Sequence, residues 1–555
     1  MLPRAESYEA LVEAFRWEIP DRFNIAVACC DRWAAAVPDR VALIRYGDRS
    51  GQGAVTFADL KRDSDRLAHA LRHRGVAKGD RLALLLPQST EAAVGHLAAY
   101  KLGAIVVPLA ALFGPDALAF RLRDSGARAI VTDAAGAGRL AALRDDLPDL
   151  ETVLCVDGPD GGAVEGYRQA LEPFVDPFPV IGSGPDDPAM MIYTSGTTGP
   201  PKGALHGHRV LLGHLPGFSL THEFAPEPDD RVWTPSDWAW AGGLLNALLP
   251  ALYFGTPVVF GPFRRFDPEA AFAMMAEAGI RNVFLPPTAI KLMEDVERPL
   301  ERFDIRLRTV TAAGESLGRS AFERAEATFG RAINEFYGQT ECNYVLGSCA
   351  ALGVSRAGAV GKPIPGHGVS VIGEDGVERP PGEAGEIAIR RGDPSMFLEY
   401  WRQPDATGEK FRGDWMLTGD QAVRDADGYV HFIGRNDDVI TSAGYRIGPG
   451  EVEDCLATHP AVRLSAVVGK PDPVRTEIVS AFVALKPGYE PGDKLAEDIR
   501  RHVRERLSAA EYPREVAFVD EIPLTTSGKV IRRGFRARVR GGSGGAGADQ
   551  VLPSP

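Results

Sequence analysis

From Tyr193 to Gly203 the chain reads YTSGTTGPPKG, which sets Thr194, Ser195, Thr197 and Thr198 among Gly196, Gly199 and Gly203 beside one lysine, Lys202. Glycines let successive backbone N–H groups turn toward one centre, and the hydroxyls add donors, so these are the parts of an anion cradle. The segment is not a P-loop of the GxxxxGK[ST] type, because Lys202 follows Pro201 and precedes Gly203. The other Gly-Lys step, Gly528-Lys529, is followed by Val530 and has Pro523 where the first glycine belongs. A flexible linker would not combine the preceding apolar run AMMIY with a single fixed lysine. A phosphate-binding loop of a different kind is expected.

Around this loop the pattern alternates. Upstream come RLALLLP, STEAAVGHLAAYKLG, AIVVPL, PDALAFRLRDSGA and ARAIVTD, read as strand, helix, strand, helix and strand; downstream TPVVF, NVFLP and RTVTAAG alternate with helices over 267–279, 288–297 and 320–329. Such alternation implies parallel sheets covered by helices. Past about Gly366 short segments with turn signals, such as VSVIGEDGVE and GYVHFIGR, predict a small antiparallel region. The expected fold is therefore α/β and multidomain. Residues 1–434 form a large domain, 435–540 a small mobile α+β domain, and the Gly/Ser/Pro-rich 541–555 a disordered tail.

Bulk properties narrow the function. With 555 residues the chain exceeds one ordinary core, and 62 basic against 75 acidic residues give a net charge of −13. That balance offers no basic footprint for nucleic acid or an anionic membrane. Six cysteines without a CxxC pair indicate neither a zinc site nor a disulfide framework, and the N-terminus lacks a signal-peptide pattern; a cytoplasmic, reducing location fits. The most apolar window, 94–113, is interrupted by His96, Lys101, Gly103 and Pro108, so it reads as a buried helix and strand with no membrane span.

The loop resembles the signature of the adenylate-forming superfamily, which holds acyl-CoA synthetases, luciferases and peptide-synthetase adenylation domains. The resemblance continues in order through SDWAW (236–240), AAGES (312–316), YGQTE (337–341), LTGD (417–420), GRNDDVITSAGYRIGPGEVE (434–453) and PLTTSGK (523–529). A rival motif, GxSxG over Gly314–Gly318, would make Ser316 a hydrolase nucleophile at a strand-to-helix turn. No HGGG-like segment precedes it, and His367, His431, His459 and His502 lack the signal of a triad base.

The resemblance implies an ATP-dependent acyl-CoA synthetase with Mg²⁺ and coenzyme A. Thr194 to Lys202 would cradle the triphosphate, and Gly314, Glu315, Ser316 and Gly338 would border the nucleotide. Tyr337 would face adenine, Thr340 would reach the α-phosphate, and Glu341 would hold the metal. Asp420 can accept from both ribose hydroxyls, with Arg435 beside it. Lys529 would bridge the carboxylate and α-phosphate, so that Lys529, Thr340 and Glu341 form the catalytic set. The hinge maps to Asp437, and Gly444, Tyr445 and Arg446 would serve coenzyme A. The acyl pocket maps to Trp240, Ala241, Gly242, Ala313 and Gly338; acetate-specific relatives carry tryptophan where Gly338 stands. A medium-chain, branched or aromatic acid is therefore expected, the wording being most like medium-chain acyl-CoA synthetases. A stand-alone enzyme loading a carrier protein is the alternative acceptor reading. PLTTSGK also resembles the site at which bacterial relatives are acetylated, which makes a lysine acetyltransferase and deacetylase acting on Lys529 expected partners.

Overall fold

The computed structural model of the chain describes residues 2–48, 53–159, 164–194, 200–261, 266–315, 317–436, 438–442, 445–473, 475–507, 512–524 and 530–540. Its strands form four sheets.

The first has eight strands, with Arg81–Leu85, Ile105–Leu109, Ala127–Thr132 and Thr152–Cys155 pairing in parallel at its centre. Buried on both faces, these segments are nearly continuous runs of Val, Ile, Leu and Ala, as a covered parallel sheet requires. The connecting helix Thr90–Leu102 starts where the Ser89 hydroxyl accepts from the Ala92 N–H at 3.1 Å and stops at Gly103, whose φ of +70° suits a left-handed cap. The apolar window read as helix then strand is thus helix Thr90–Leu102 followed by strand Ile105–Leu109. The second sheet has nine strands, among them Val258–Phe260, Val232–Trp233, Asn282–Leu285, Thr309–Ala312 and Ile333–Tyr337 in parallel array.

The parallel layers of the large region also carry antiparallel strands toward their edges. The glycine loop joins two antiparallel strands, Pro188–Thr194 and Lys202–Gly207, with Thr194 opposite Lys202. A connection this short permits only an antiparallel return, since a parallel one needs a crossover of a dozen or more residues. Glu399–Tyr400 adds to the outer edge of that hairpin, Tyr400 lying opposite Ala204.

A five-stranded antiparallel sheet follows, built on Val369–Ile372, Ala384–Arg390, Trp415–Arg424 and Val430–Arg435. Beyond it, Val462–Asp472 and Thr476–Leu485 form the main hairpin of a last sheet covered by helices Pro449–Ala457, Asp493–Arg506 and Arg533–Arg540. The apolar clusters here draw only on residues from Ile440 onward, so this C-terminal region has a core of its own.

Buried charge ties the first sheet's helices together. Lys101 is wholly buried, and its ammonium lies 2.6 Å from Asp65 and 2.8 Å from Asp31, while Lys61 reaches Asp65 at 2.5 Å. Removing one member of such a group strands the others' charge. Lys101→Met is therefore expected to lower unfolding free energy by about 3 kcal/mol, read from urea denaturation. Arg306→Ala, which breaks an ion pair more than three-quarters exposed on both sides, should leave the transition where it is.

Candidate active site

Three strands bring predicted nucleotide residues together. Tyr337 closes strand Ile333–Tyr337, Asp420 lies within Trp415–Arg424, and Arg435 ends Val430–Arg435 directly opposite Asp420 in register. The Tyr337 phenol donates to Asp420 Oδ2 at 2.5 Å, and the Gln339 amide donates to the same oxygen at 2.6 Å and to the Thr418 carbonyl at 2.8 Å. Arg435 Nη1 stands 3.4 Å from Asp420 Oδ1.

That second oxygen is buried and has no hydrogen-bond partner. A buried acceptor left open is uncommon in folded proteins, and a ribose hydroxyl would satisfy it. Burial pushes the Asp420 carboxyl above the usual carboxylate range, while Arg435 and the Tyr337 and Gln339 donors pull it back. The same burial holds the Tyr337 phenol far above its ordinary value, so it stays a donor.

A second group converges on Glu341. Its side chain is buried and accepts from the Tyr400 hydroxyl, and its carbonyl accepts from Phe397 N–H at 2.7 Å. Lys202 Nζ lies 5.2 Å from the centre of the Tyr400 ring. The phosphate-loop lysine, the tyrosine and the expected metal ligand thus form one chain of contacts. Tyr400 was not foreseen, because only the edge pairing of Glu399–Tyr400 brings it to Glu341, 59 positions away.

The donor set fits Mg²⁺. Among the described residues no lysine or arginine forms an ion pair with Glu341, so a buried carboxylate has only a hydroxyl for company. A small hard cation taking one carboxylate, phosphate oxygens and its own waters suits that position. Among the described residues no group of three or more His, Cys, Asp or Glu gathers elsewhere for a metal.

Gly314 follows strand Thr309–Ala312 with φ +101° and open space where a side chain would be, and Glu315 accepts from the Thr288 hydroxyl at 2.9 and 3.1 Å. Thr340 is half-buried next to Glu341. Ser195, Gly196, Thr197, Thr198, Gly199, Ser316, Asp437, Gly444, Lys529 and the tail 541–555 lie outside the described residues. Tyr445 and Arg446 are described only as backbone of the strand Tyr445–Ile447.

The expected acyl residues divide. Trp240 meets Phe113 edge-on with ring centres 5.7 Å apart. Gly242 faces Phe284, whose ring carbon would lie 3.2 Å from a Cβ there, and Phe284 leads to Phe336 and Tyr344, stacked at 4.1 Å. Ala313 belongs to the same apolar cluster, with Ala241 packed on it. Gly338 is different: a Cβ would fall 2.4 to 2.5 Å from Asn343 and the Tyr344 backbone nitrogen. A side chain at 338 would therefore meet backbone before open space, and glycine there serves the tight 339–344 turn.

The AMP-binding enzyme family profile matches residues 30–401, and the AMP-binding enzyme C-terminal domain profile matches 451–529. The chain belongs to the AMP-binding enzyme family. It is 35% identical to an acetyl-coenzyme A synthetase of Bacillus subtilis over 93% of this chain and 90% of that protein. It is 32% identical to the mitochondrial acyl-coenzyme A synthetase ACSM4 of Homo sapiens, covering 93% and 91%. The crystal structure of an anthranilate CoA ligase in complex with anthranoyl-AMP superposes with a TM-score of 0.85 at 27% identity, over 94% of this chain and 98% of that one. This member is an AMP-forming CoA ligase, using ATP and coenzyme A with Mg²⁺. The hydrolase reading of Gly314–Gly318 gives way to this assignment. Among the described residues no helix is long and apolar enough to cross a membrane.

Beneath the nucleotide loop, Glu335 is fully enclosed, and burial raises its carboxyl to about 8, with Asp454 adding to the rise and the Leu317 N–H opposing it. A neutral native carboxyl that ionises on unfolding weakens the fold as pH climbs from its unfolded value of 4.5 toward 8. Glu335→Gln, which cannot ionise, should therefore gain stability relative to the parent between pH 5 and pH 8. Thermal midpoints of both proteins across that range give the comparison, and a constant gap would show that Glu335 keeps its charge.

Proposed function

We propose that the ligase activates a medium-chain, branched or aromatic acid and passes it to coenzyme A. The carboxylate oxygen attacks the α-phosphorus of ATP, forming the P–O bond of an acyl-adenylate as pyrophosphate leaves. The thiol of coenzyme A, giving up its proton, then attacks the acyl carbon, and AMP leaves. Activation is needed because a carboxylate is anionic and would otherwise have to expel an oxide.

The observation that carries the nucleotide half is the open Oδ1 of Asp420, held beside Tyr337 and Arg435. Glu341 would hold the Mg²⁺, which neutralises phosphate charge when bound, and Thr340 and the Thr194–Lys202 loop would align the phosphates. Lys529 supplies a compact positive charge to the reacting oxygens. The division at 434/435 with a hinge at Asp437 lets the C-terminal region serve the two steps in two orientations, bringing the Gly444 segment to the thiol in the second.

For the acid, the supporting feature is the run Trp240, Ala241, Gly242 and Ala313 beside Phe284. Phe284 is buried with Gly242 against its ring, and an apolar substituent packed beside these small residues gains roughly 0.8 kcal/mol per methylene. The Bacillus relative is named for acetate, whereas the structural neighbour holds an aromatic adenylate; the small residues Ala241, Gly242 and Ala313 favour the larger class. Six buried cysteines, none in a disulfide, fit cytoplasmic work. Acetylation of Lys529 would cancel the charge that adenylation needs and so switch the enzyme off.

Pyrophosphate release measured with acetate, octanoate, isovalerate and benzoate, with and without coenzyme A, tests the substrate. The larger acids should give the higher kcat/KM; a preference for acetate would refute the acyl assignment. Lys529→Ala should abolish adenylate formation yet still convert synthetic acyl-adenylate and coenzyme A to thioester. Equal loss of both steps would remove Lys529 from the bridging role.

A further inference from the structure

The loop bordering the nucleotide also carries the C-terminal region. Gly318, with φ +79°, sits so close to helix Pro449–Ala457 that a Cβ there would lie 2.4 Å from Asp454 Oδ2. Lys291, from helix Pro287–Met293, approaches the other oxygen of the same carboxylate at 3.3 Å. The residue before Asp454 belongs to the same arrangement: Glu453 accepts from Arg532 at 3.0 and 2.5 Å, and Arg532 feels the charge of Glu315 in the nucleotide loop. Arg532 stands three positions beyond Lys529 in sequence. Asp438, one residue past the expected hinge, is clamped by Arg532 at 3.5 Å and Arg536 at 3.0 Å.

These contacts differ in kind. The Arg532 pairs lie within the C-terminal region and travel with it. The Lys291–Asp454 pair and the Gly318 contact cross to the large domain, so their free energy exists only in the orientation that brings residue 454 to residue 291. An interaction confined to one of two states shifts the population toward that state by its differential strength. Only glycine at 318 admits the carboxylate to this place, on both counts of φ and space.

We propose that Asp454, gripped by Lys291 against Gly318, is a positioning residue that latches the C-terminal region onto the nucleotide loop for adenylation. The proposal rests on the reading that Lys529 acts in adenylation and that the thiol step uses another orientation. It predicts a split between the half-reactions that a merely structural role would not produce.

Lys291→Met, Asp454→Asn and the conservative Lys291→Arg are compared with the parent in two assays. The first is acid-dependent ATP–pyrophosphate exchange with octanoate and with benzoate. The second is thioester formation from synthetic octanoyl- and benzoyl-adenylate with coenzyme A. Lys291→Met and Asp454→Asn should slow exchange about 5- to 20-fold and leave thioester formation unchanged or faster, while Lys291→Arg keeps both. Lys291 is 43% exposed, so its variants carry the test should Asp454→Asn fold poorly. Exchange that is untouched, or both steps falling together, overturns the latch. A parent that exchanges with neither acid, or a Lys529→Ala enzyme that still exchanges, overturns the reading beneath it, and the two failures are told apart by which protein shows them.

Discussion

Holding carboxylates in a dry interior is the constraint on which this site depends. An ion moved out of water loses several kcal/mol of solvation unless partners return it. Glu341 and Asp420 are both buried, and the roles proposed for them toward a metal and a ribose require both to be acceptors. Each is met by a tyrosine hydroxyl, Tyr400 for Glu341 and Tyr337 for Asp420. Burial holds both phenols far above their ordinary range, so neither can become an anion beside the carboxylate it serves. A neutral donor steadies the carboxylate without taking up the charge that a cation would cancel. Oδ1 of Asp420 lies 3.4 Å from Arg435 Nη1 and has no hydrogen-bond partner, and Glu341 has no paired cation among the described residues.

The sheets exist in the form they do to supply these partners. The hairpin that carries the phosphate loop is antiparallel, which leaves one edge for Glu399–Tyr400 and places Tyr400 between Lys202 and Glu341. The Trp415–Arg424 strand is pinned in register against Val430–Arg435, so that Asp420 and Arg435 oppose each other across a pair that a one-residue slip would destroy. Elsewhere the interior solves buried charge in other ways. Lys101 gathers two carboxylates around itself, and Glu335 gives up its ionisation.

Much of this was legible in the sequence because it is local. The cradle's residue types, the alternation of strand and helix, and the motifs at 337–341 and 417–420 all lie in short windows. Helix Thr90–Leu102 carries its own cap and stop, and its position follows from them. The contacts made across sheets were not legible. Nothing near Tyr400 announces Glu341, and Gln339 could be read only as a spacer between Gly338 and Thr340 until its amide is seen bridging Thr418 and Asp420. Gly338 is a related case. Sequence shows that a residue is small, but not whether the space beside it is a cavity or a neighbour's backbone.

Gly314, Glu315 and Gly318 join the end of strand Thr309–Ala312 to the C-terminal region. The first glycine has open space beside it, the glutamate is tied to Thr288, and the last glycine admits Asp454. Anything that displaces this turn by a fraction of an ångström therefore acts on the proposed nucleotide border and on the C-terminal contact together. Packed interfaces resist continuous deformation and switch between discrete arrangements, so such a shift favours one orientation over another.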